Sequence, residues 1–458
     1  MRFFMLAAVA LAFSPRAYAD TPSDALVHSY MRSVEASASR AIPSFSRQTG
    51  LACNVCHTTF PQLTAFGRQF KLDGYTMATL QRITESDSNR TQLSIGLVPP
   101  LSAMVISSYT RTQSAIPGTQ NGNPDFPQEM SLFLGGAITP HLGGFFQLTY
   151  EPGEGRIAVD NIDIRLSNRA LVGTREMSYG LTLNNNPTVQ DMFNTAPAWG
   201  YPYTASAFAP GSLAGTVLDG ALGQSVAGLG AYAGFAGGLY GEFTAYRSAP
   251  QDAANPPDGS SEGTLHGIAP YWRLALQHSF GNNEVEIGTY GLIASLYPAG
   301  VTGPTDRFTD AAVDAQLTAP VGRGTFAAHG IWIHENQKLD ATFAGGGSDA
   351  ATNKLNTLRL DATYITSSRV GFTAGFLNTN GTTDAGLYGA APFEGSAVGS
   401  PNSTGLMGEL SWMPWLNMRL GIQYTLWTKF NGLTTNYDGS GRSAKDNNTL
   451  YLYSWIAL

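Results

Sequence analysis

From residue 90 onward the chain alternates apolar and polar side chains in short runs broken by glycine- and asparagine-rich turns. Around Ile422, the positions Met418, Leu420, Ile422, Tyr424 and Leu426 share one face, while Asn417, Arg419, Gln423 and Thr425 share the other. Around Val313, an apolar row of Ala311, Val313, Ala315 and Leu317 opposes Asp310, Asp314, Gln316 and Thr318. Around Leu360, Leu358, Leu360, Ala362 and Tyr364 oppose Arg359, Asp361 and Thr363. A period of two residues predicts strands with one greasy and one polar face. Sixteen are expected, centred near Val105, Phe133, Phe146, Ile162, Leu181, Ala231, Phe243, Leu274, Ile287, Val313, Ala328, Leu360, Thr373, Gly408, Ile422 and Tyr453.

Strands cross lipid only as a closed barrel, because nothing in the bilayer can satisfy an open edge. The connections supply an independent check. Long ones at 113–127, 185–224, 248–267, 336–352, 378–402 and 431–446 alternate with tight turns at Thr139-Pro140-His141, near Gly237, at Gly281-Asn282-Asn283, around Gly322 and at Ser367-Ser368. Outer-membrane barrels carry long loops outside the cell and short turns in the periplasm, so both ends of this barrel face the periplasm. A water-soluble β-sandwich would not produce that rhythm. Two features depart from it: the 151–155 connection is short where a long loop is due, and the last strand ends in Leu458 instead of an aromatic residue. The expected fold is an all-β membrane barrel of about sixteen antiparallel strands over residues 91–458.

Composition agrees. Charged residues are only 13% of the chain, yet no run of twenty apolar residues occurs, which excludes helical membrane spans. Fifty-two glycines and twenty tyrosines suit a barrel with many turns. A net charge of −7 without any basic block argues against nucleic acid as a partner. The outer-membrane lipid is the expected surroundings.

The first ninety residues read differently. Residues 1–19 have the form of a cleaved export signal: Arg2 supplies charge, an apolar run from Phe3 to Phe13 follows, and Ala17-Tyr18-Ala19 precedes Asp20. Residues 20–90 are expected to form a small helical domain. Val27, Tyr30, Met31 and Val34 recur at helical spacing. Leu63, Phe66 and Phe70 form a second stripe, with Thr59 placed to cap that helix and Pro61 in its first turn. Glu85-Ser86-Asp87-Ser88-Asn89-Arg90 reads as a linker.

Within this domain lies Cys53-Asn54-Val55-Cys56-His57, which holds the only two cysteines of the chain. This is the spacing of c-type haem attachment: two thiols add to the haem vinyl groups and the adjacent imidazole binds the iron. A disulfide or thioredoxin-like dithiol is the alternative, but no βαβ pattern flanks the site. A zinc site would need further close ligands, and none follows. The motif predicts one covalently bound haem c, attached through Cys53 and Cys56, with His57 as the iron ligand.

The runs Ile42-Pro43-Ser44-Phe45-Ser46-Arg47-Gln48-Thr49-Gly50 and Phe60-Pro61-Gln62-Leu63-Thr64-Ala65-Phe66-Gly67-Arg68-Gln69-Phe70-Lys71-Leu72-Asp73-Gly74-Tyr75 flank the motif. Together they resemble the fused monohaem cytochrome–porins of iron-oxidising bacteria. The match spans residues 42–75; the remainder resembles that family in length and barrel pattern. The resemblance implies an oxidoreductase of the outer membrane that takes electrons from extracellular Fe(II) at the haem and passes them to a periplasmic carrier, a cytochrome or copper protein. A conduit for another donor or for outward electron flow, and a diffusion porin with a haem-carrying plug, are the alternatives.

So small a haem domain needs outside surface, which a barrel lumen supplies, so the segment is expected in or against the barrel mouth as a plug. Its haem-facing candidates are Ile42, Phe45, Leu51, Phe60, Leu63, Phe66, Leu72 and Tyr75. The second axial ligand is open among Met77, Met31, His28 and Met104; Met77 is the first choice because a thioether raises the potential. Arg47, Arg68 and Lys71 either pair with haem propionates or are solvated surface. Asp163, Glu284, Glu286, Asp314 and Asp361 either attract ferrous ions or line a polar lumen, and the second is the ordinary role. His266, His278, His329 and His334 show no metal-binding spacing.

Overall fold

The structure, a computed structural model, describes residues 43–77, 82–84, 94–96, 100–152, 155–235, 237–249, 256–261 and 263–458. The export signal, the helix expected at 27–34, Ile42, His28, Met31 and the linker at 85–90 lie outside the described residues. Three short helices open the described chain: α1 (Ser44–Thr49), α2 (Cys53–Cys56) and α3 (Ala65–Leu72). A separate antiparallel ribbon pairs β1 (Arg82–Thr84) with β2 (Ser94–Gly96).

The remaining strands are β3 (Leu101–Thr112), β4 (Asn123–Ala137), β5 (Leu142–Glu151), β6 (Arg156–Val172), β7 (Arg175–Asn184), β8 (Val226–Phe235), β9 (Leu239–Ser248) and β10 (Ala269–Phe280). They continue with β11 (Asn283–Leu296), β12 (Asp306–Val321), β13 (Gly324–Lys338), β14 (Thr352–Ile365), β15 (Val370–Gly381), β16 (Ser403–Trp415), β17 (Met418–Lys429) and β18 (Thr449–Ala457). Each strand pairs antiparallel with its sequence neighbours, and β18 closes on β3 through pairs such as Tyr453 with Ser108. The result is a closed barrel of sixteen strands, and every expected strand centre falls inside one of them.

The alternation sorts as lipid demands. Val313, Leu360, Ile422 and Tyr424 are exposed on the outer wall, whereas Asp310, Asp314, Arg419 and Gln423 are buried inside. A closed strand cylinder with an apolar outer face is a membrane-spanning architecture, and sixteen strands is the size of porin-type outer-membrane barrels. Two-residue connections at 173–174, 281–282, 322–323 and 416–417 mark one rim; the long loops and the short 152–155 turn mark the other. Leu101 and Leu458 both sit at the short-turn rim, where the backbones of Ala103 and Leu458 bond to each other.

The lumen is not simply polar. Tyr232, Tyr240, Tyr246, Tyr271, Tyr290, Tyr451 and Tyr453 are buried within it, so many of the tyrosines fill the interior. The 185–225 connection, expected as an outer loop, instead turns into the lumen and runs across it. Asp191 pairs with Arg273 of β10 at 3.0 Å, Thr204 bonds Tyr451 of β18 at 2.9 Å, and the Val217 amide donates to Glu335 of β13 at 2.6 Å. This crossbar is buried because the wall offers it charged and hydroxyl partners that cancel its backbone desolvation.

An arginine placed on the lipid face tests the orientation. Val313→Arg, midway along β12, is expected to destabilise the barrel by about 2–4 kcal/mol. Equilibrium unfolding from lipid vesicles measures it, and an effect near zero would put Val313 elsewhere than in the hydrocarbon layer.

Candidate haem-attachment site at the barrel mouth

The 43–77 segment is seated inside the short-turn end of the barrel. Ser44 Oγ and Gln48 Nε2 both donate to the Gly135 carbonyl of β4, at 3.0 and 2.6 Å. Arg68, fully buried, pairs with Glu284 and donates Nε to Gln277 at 3.2 Å. Asp73 receives Arg169 at 2.7 Å and Ser178 Oγ at 2.7 Å, and Tyr75 donates to Asp163 at 2.6 Å. Close approach needs glycine on the wall: a Cβ at Gly143 would lie 2.1 Å from the Gly74 carbonyl oxygen. The crossbar completes the seat. Lys71 Nζ donates to the Val189 carbonyl at 2.8 Å and to Asn194 Oδ1 at 2.9 Å, and Asn194 Nδ2 donates back to the Pro61 carbonyl at 2.9 Å.

Locally, Cys53 and Cys56 occupy one turn, so residues three apart share a face. His57 follows in extended conformation, its amide still bonded to the Cys53 carbonyl at 2.9 Å. The next helix begins at Ala65, later than expected. Thr64, not Thr59, caps it by accepting the Gly67 amide at 3.2 Å, and its hydroxyl donates to the Val55 carbonyl at 2.6 Å. The stretch between pairs with itself instead of coiling, because His57 bridges Leu63 and the Thr58 amide reaches the Gln62 carbonyl. Gly67 lets α3 lie against α2: a Cβ there would meet the Cys56 carbonyl oxygen at 2.2 Å.

These residues and the wall enclose a cavity of about 560 Å³. That is a fitting size for a bound prosthetic group. Cys53, Cys56 and His57 line it, with Phe45, Leu51, Phe60, Leu63, Phe70 and Tyr75 from the segment. The expected Phe66 and Leu72 do not line it; Leu72 is fully buried against Phe193, Tyr232 and Tyr240 in the lumen. Phe133, Phe145, Trp199 and Trp455 contribute rings from beyond the segment, and Phe60 meets Trp455 edge-on at 4.9 Å. Met104, Met413 and Met418 are on its wall, and Met77 is not.

The motif's chemistry suits covalent attachment better than thiol redox work. His57 Nδ1 faces the Gln62 carbonyl at 3.2 Å, which makes Nδ1 the N–H and leaves the Nε2 lone pair free. Burial lowers the imidazole to about 4, so it is neutral at neutral pH. Burial, with Cys53 beside it, pushes the Cys56 thiol up to about 12, the opposite of the depressed value of a catalytic dithiol. Among the described residues, no group of three or more His, Cys, Asp or Glu is placed to hold a metal ion by itself.

The other expected residues are occupied otherwise. Arg47 reaches the Leu101 carbonyl, and Arg68 and Lys71 bind protein partners, so none is plain solvated surface. Four of the five acidic candidates are ion-paired, Asp163 with Arg165, Glu284 with Arg68, and Glu286 and Asp314 with Arg273, while Asp361 is hydrogen-bonded to His329 Nδ1 at 2.9 Å. A cation would have to displace an arginine at most of them, so their ordinary role in a polar lumen stands. The missed residue is Arg419 of β17, which lines the cavity with two buried donors that have no partner among the described residues.

No protein-family model and no curated relative matches the sequence. Among solved structures, the chain is similar to OmpF of Salmonella typhi in complex with daunomycin, at 13% identity over 82% of this chain and 100% of that one, with a TM-score of 0.47. An anion-selective porin from Comamonas acidovorans is similar at 12% identity over 78% and 98% of the two chains, with a TM-score of 0.48. OmpT of Vibrio cholerae is similar at 9% identity over 82% and 100%, with a TM-score of 0.43.

Seating of the segment depends on pH through Lys71. Burial, with Arg165 beside it, lowers this lysine from 10.5 to about 7. Its released state therefore binds the proton more tightly, so the seat is weakest below about pH 7 and strengthens as pH rises toward 10.5. Protease protection of residues 43–77, measured across that range, is expected to rise with pH in the wild type and to flatten in Lys71→Met.

Proposed function

We propose that this chain is a haem-c electron conduit of the outer membrane, an oxidoreductase that takes electrons from extracellular Fe(II) and delivers them to a periplasmic carrier, a cytochrome or copper protein. The observation that carries the reading is the seating of Cys53, Cys56 and His57 on an aromatic cavity inside the short-turn mouth of a lipid-spanning cylinder. Cys53 and Cys56 would tether the group by thioether bonds, and His57 would hold the iron through Nε2. The bound haem supplies one-electron exchange; the chain supplies placement and electrostatics. Gln62 orients the imidazole, the rings of Phe45, Phe60, Phe70 and Trp455 exclude water, and the Arg68–Glu284 and Lys71–Asn194 contacts fix the segment. Met104, Met413 and Met418 line the same cavity, and their thioethers would be available as a further ligand to the iron. The ferrous donor rests on the resemblance of residues 42–75 to cytochrome–porins. A surface oxidation also makes physical sense, since it keeps insoluble ferric product outside the cell.

The barrel itself favours a second reading, a diffusion porin whose plug carries haem, because sixteen strands enclose a lumen wide enough for an aqueous channel. The plug and the crossbar argue for the conduit, since each spans the lumen: the plug bonds to β4 and β11, and the crossbar to β10 and β18.

Two measurements decide. Purified protein is expected to show the pyridine haemochrome spectrum of a covalent haem, lost in Cys53→Ala/Cys56→Ala, and its haem is expected to reduce on mixing with Fe(II). Covalent haem without reduction at any pH would remove iron as the donor. In proteoliposomes, swelling with small sugars is expected to stay near the protein-free baseline; rapid swelling would favour the porin.

A further inference from the structure

Among the described residues, Arg419 is the one cavity-lining side chain with buried donors left over. It begins β17, is 6% exposed, and projects inward between Glu409 of β16 and the cavity shared by Cys53, Cys56 and His57. One guanidinium nitrogen, Nη2, pairs with Glu409. The Glu409 carboxylate is itself held by the Tyr453 hydroxyl at 3.0 Å and by Gln423 Nε2 at 3.1 Å. Nε and Nη1 of Arg419 are buried with no hydrogen-bond partner among the described residues. Two unmatched donors on a buried cation are costly, and native interiors seldom keep them without a ligand. A fixed guanidinium fork with two free N–H positions matches a carboxylate.

We infer that Arg419 is an anchoring residue for a carboxylate of the group bound in this cavity, held in position for that task by Glu409, Gln423 and Tyr453. The inference rests on the haem reading: a haem tethered by its vinyl edge to Cys53 and Cys56 presents its two propionates on the far edge, away from the segment. The basic residues near the motif in sequence are placed otherwise: Arg47 reaches the Leu101 carbonyl and does not line the cavity, Arg68 pairs with Glu284, and Lys71 bonds Val189 and Asn194. The anchoring cation thus comes from the barrel wall. Arg369, exposed on the 366–369 turn and also lining the cavity, is the counterpart available to the second propionate. Tethered to the plug at one edge and ion-paired to β17 at the other, the cofactor would itself join the two parts of the molecule.

The test uses the haem-loaded, full-length protein in detergent. Resonance Raman spectra of the wild type and Arg419→Gln report the propionate-bending band, which shifts down when a propionate loses a hydrogen-bond donor. The expected result is that downward shift, with covalent haem content and barrel assembly unchanged. Identical bands in the two proteins would overturn the inference while leaving the haem reading intact. Absence of covalent haem from the wild type would overturn both. If Arg419→Gln fails to assemble, Arg419→Lys serves, since it keeps the charge but loses the fork: a shifted band supports the inference and an unshifted one overturns it.

Discussion

Enclosing polar surface inside a wall that must be greasy outside is the constraint on which this molecule depends. Sixteen paired strands satisfy their own backbones, but they leave an inner face of charged and hydroxyl side chains that something must neutralise. Here the filling comes from the chain itself. The 43–77 segment enters from the short-turn rim and the crossbar returns from the long-loop one, and between them they supply the counter-charges: Arg68 to Glu284, Asp73 to Arg169, Asp191 to Arg273. Breaking one member of such a buried pair typically costs about 3–5 kcal/mol, because the survivor is left desolvated and unpaired. Plug and wall are for that reason mutually required.

The same accounting explains why a short segment with three small helices can hold a defined shape. Its own apolar content is modest, and two of its buried groups are the ionisable Arg68 and Lys71. Neither would be buried in an isolated domain of that size. Their partners are on β10, β11 and the crossbar, so the segment borrows its interior from the barrel. The cavity is a by-product of this borrowing: half of its lining comes from the segment, and half from the strands, turns and crossbar of the barrel, including Phe133, Met104, Arg419 and Trp455.

Legibility from sequence followed the range of the interactions. Strand positions were readable because a two-residue period is local and lipid enforces it on every strand. The attachment motif was readable because its chemistry is packed into five consecutive residues. The start of α3 was misplaced because Thr59 and Thr64 are equally good caps by composition, and the choice is made by the Thr64 hydroxyl reaching Val55. The crossbar was taken for an outer loop because length alone does not distinguish a loop that turns inward; its Asn185-Asn186 and Asp191-to-Thr195 polar groups find lumen partners only once the barrel is closed. Arg419 was seen as an inward position and given no role. Its place beside the motif comes from barrel closure, which brings the last strands against the first and so against the plug.

Seating also constrains the order of events on the proposed reading. Thioether formation requires both thiols to be reached by haem and by whatever attaches it, yet in the finished molecule α2 is pinned by α3 through Gly67 and faces a cavity roofed by Phe133, Phe145 and Trp455. Lifting the segment out would open that face to a planar group of haem size. Displacing the segment breaks the Arg68–Glu284 pair and strips Asp73 and Lys71 of their partners together. Attachment in the periplasm before the barrel closes avoids that cost, because the unseated segment is then open on all sides. The loaded segment would next dock as the strands assemble around it, and burial of the porphyrin's apolar faces against those rings would contribute to closure. A chain without its cofactor would lose that contribution at the point where the last strands meet the first.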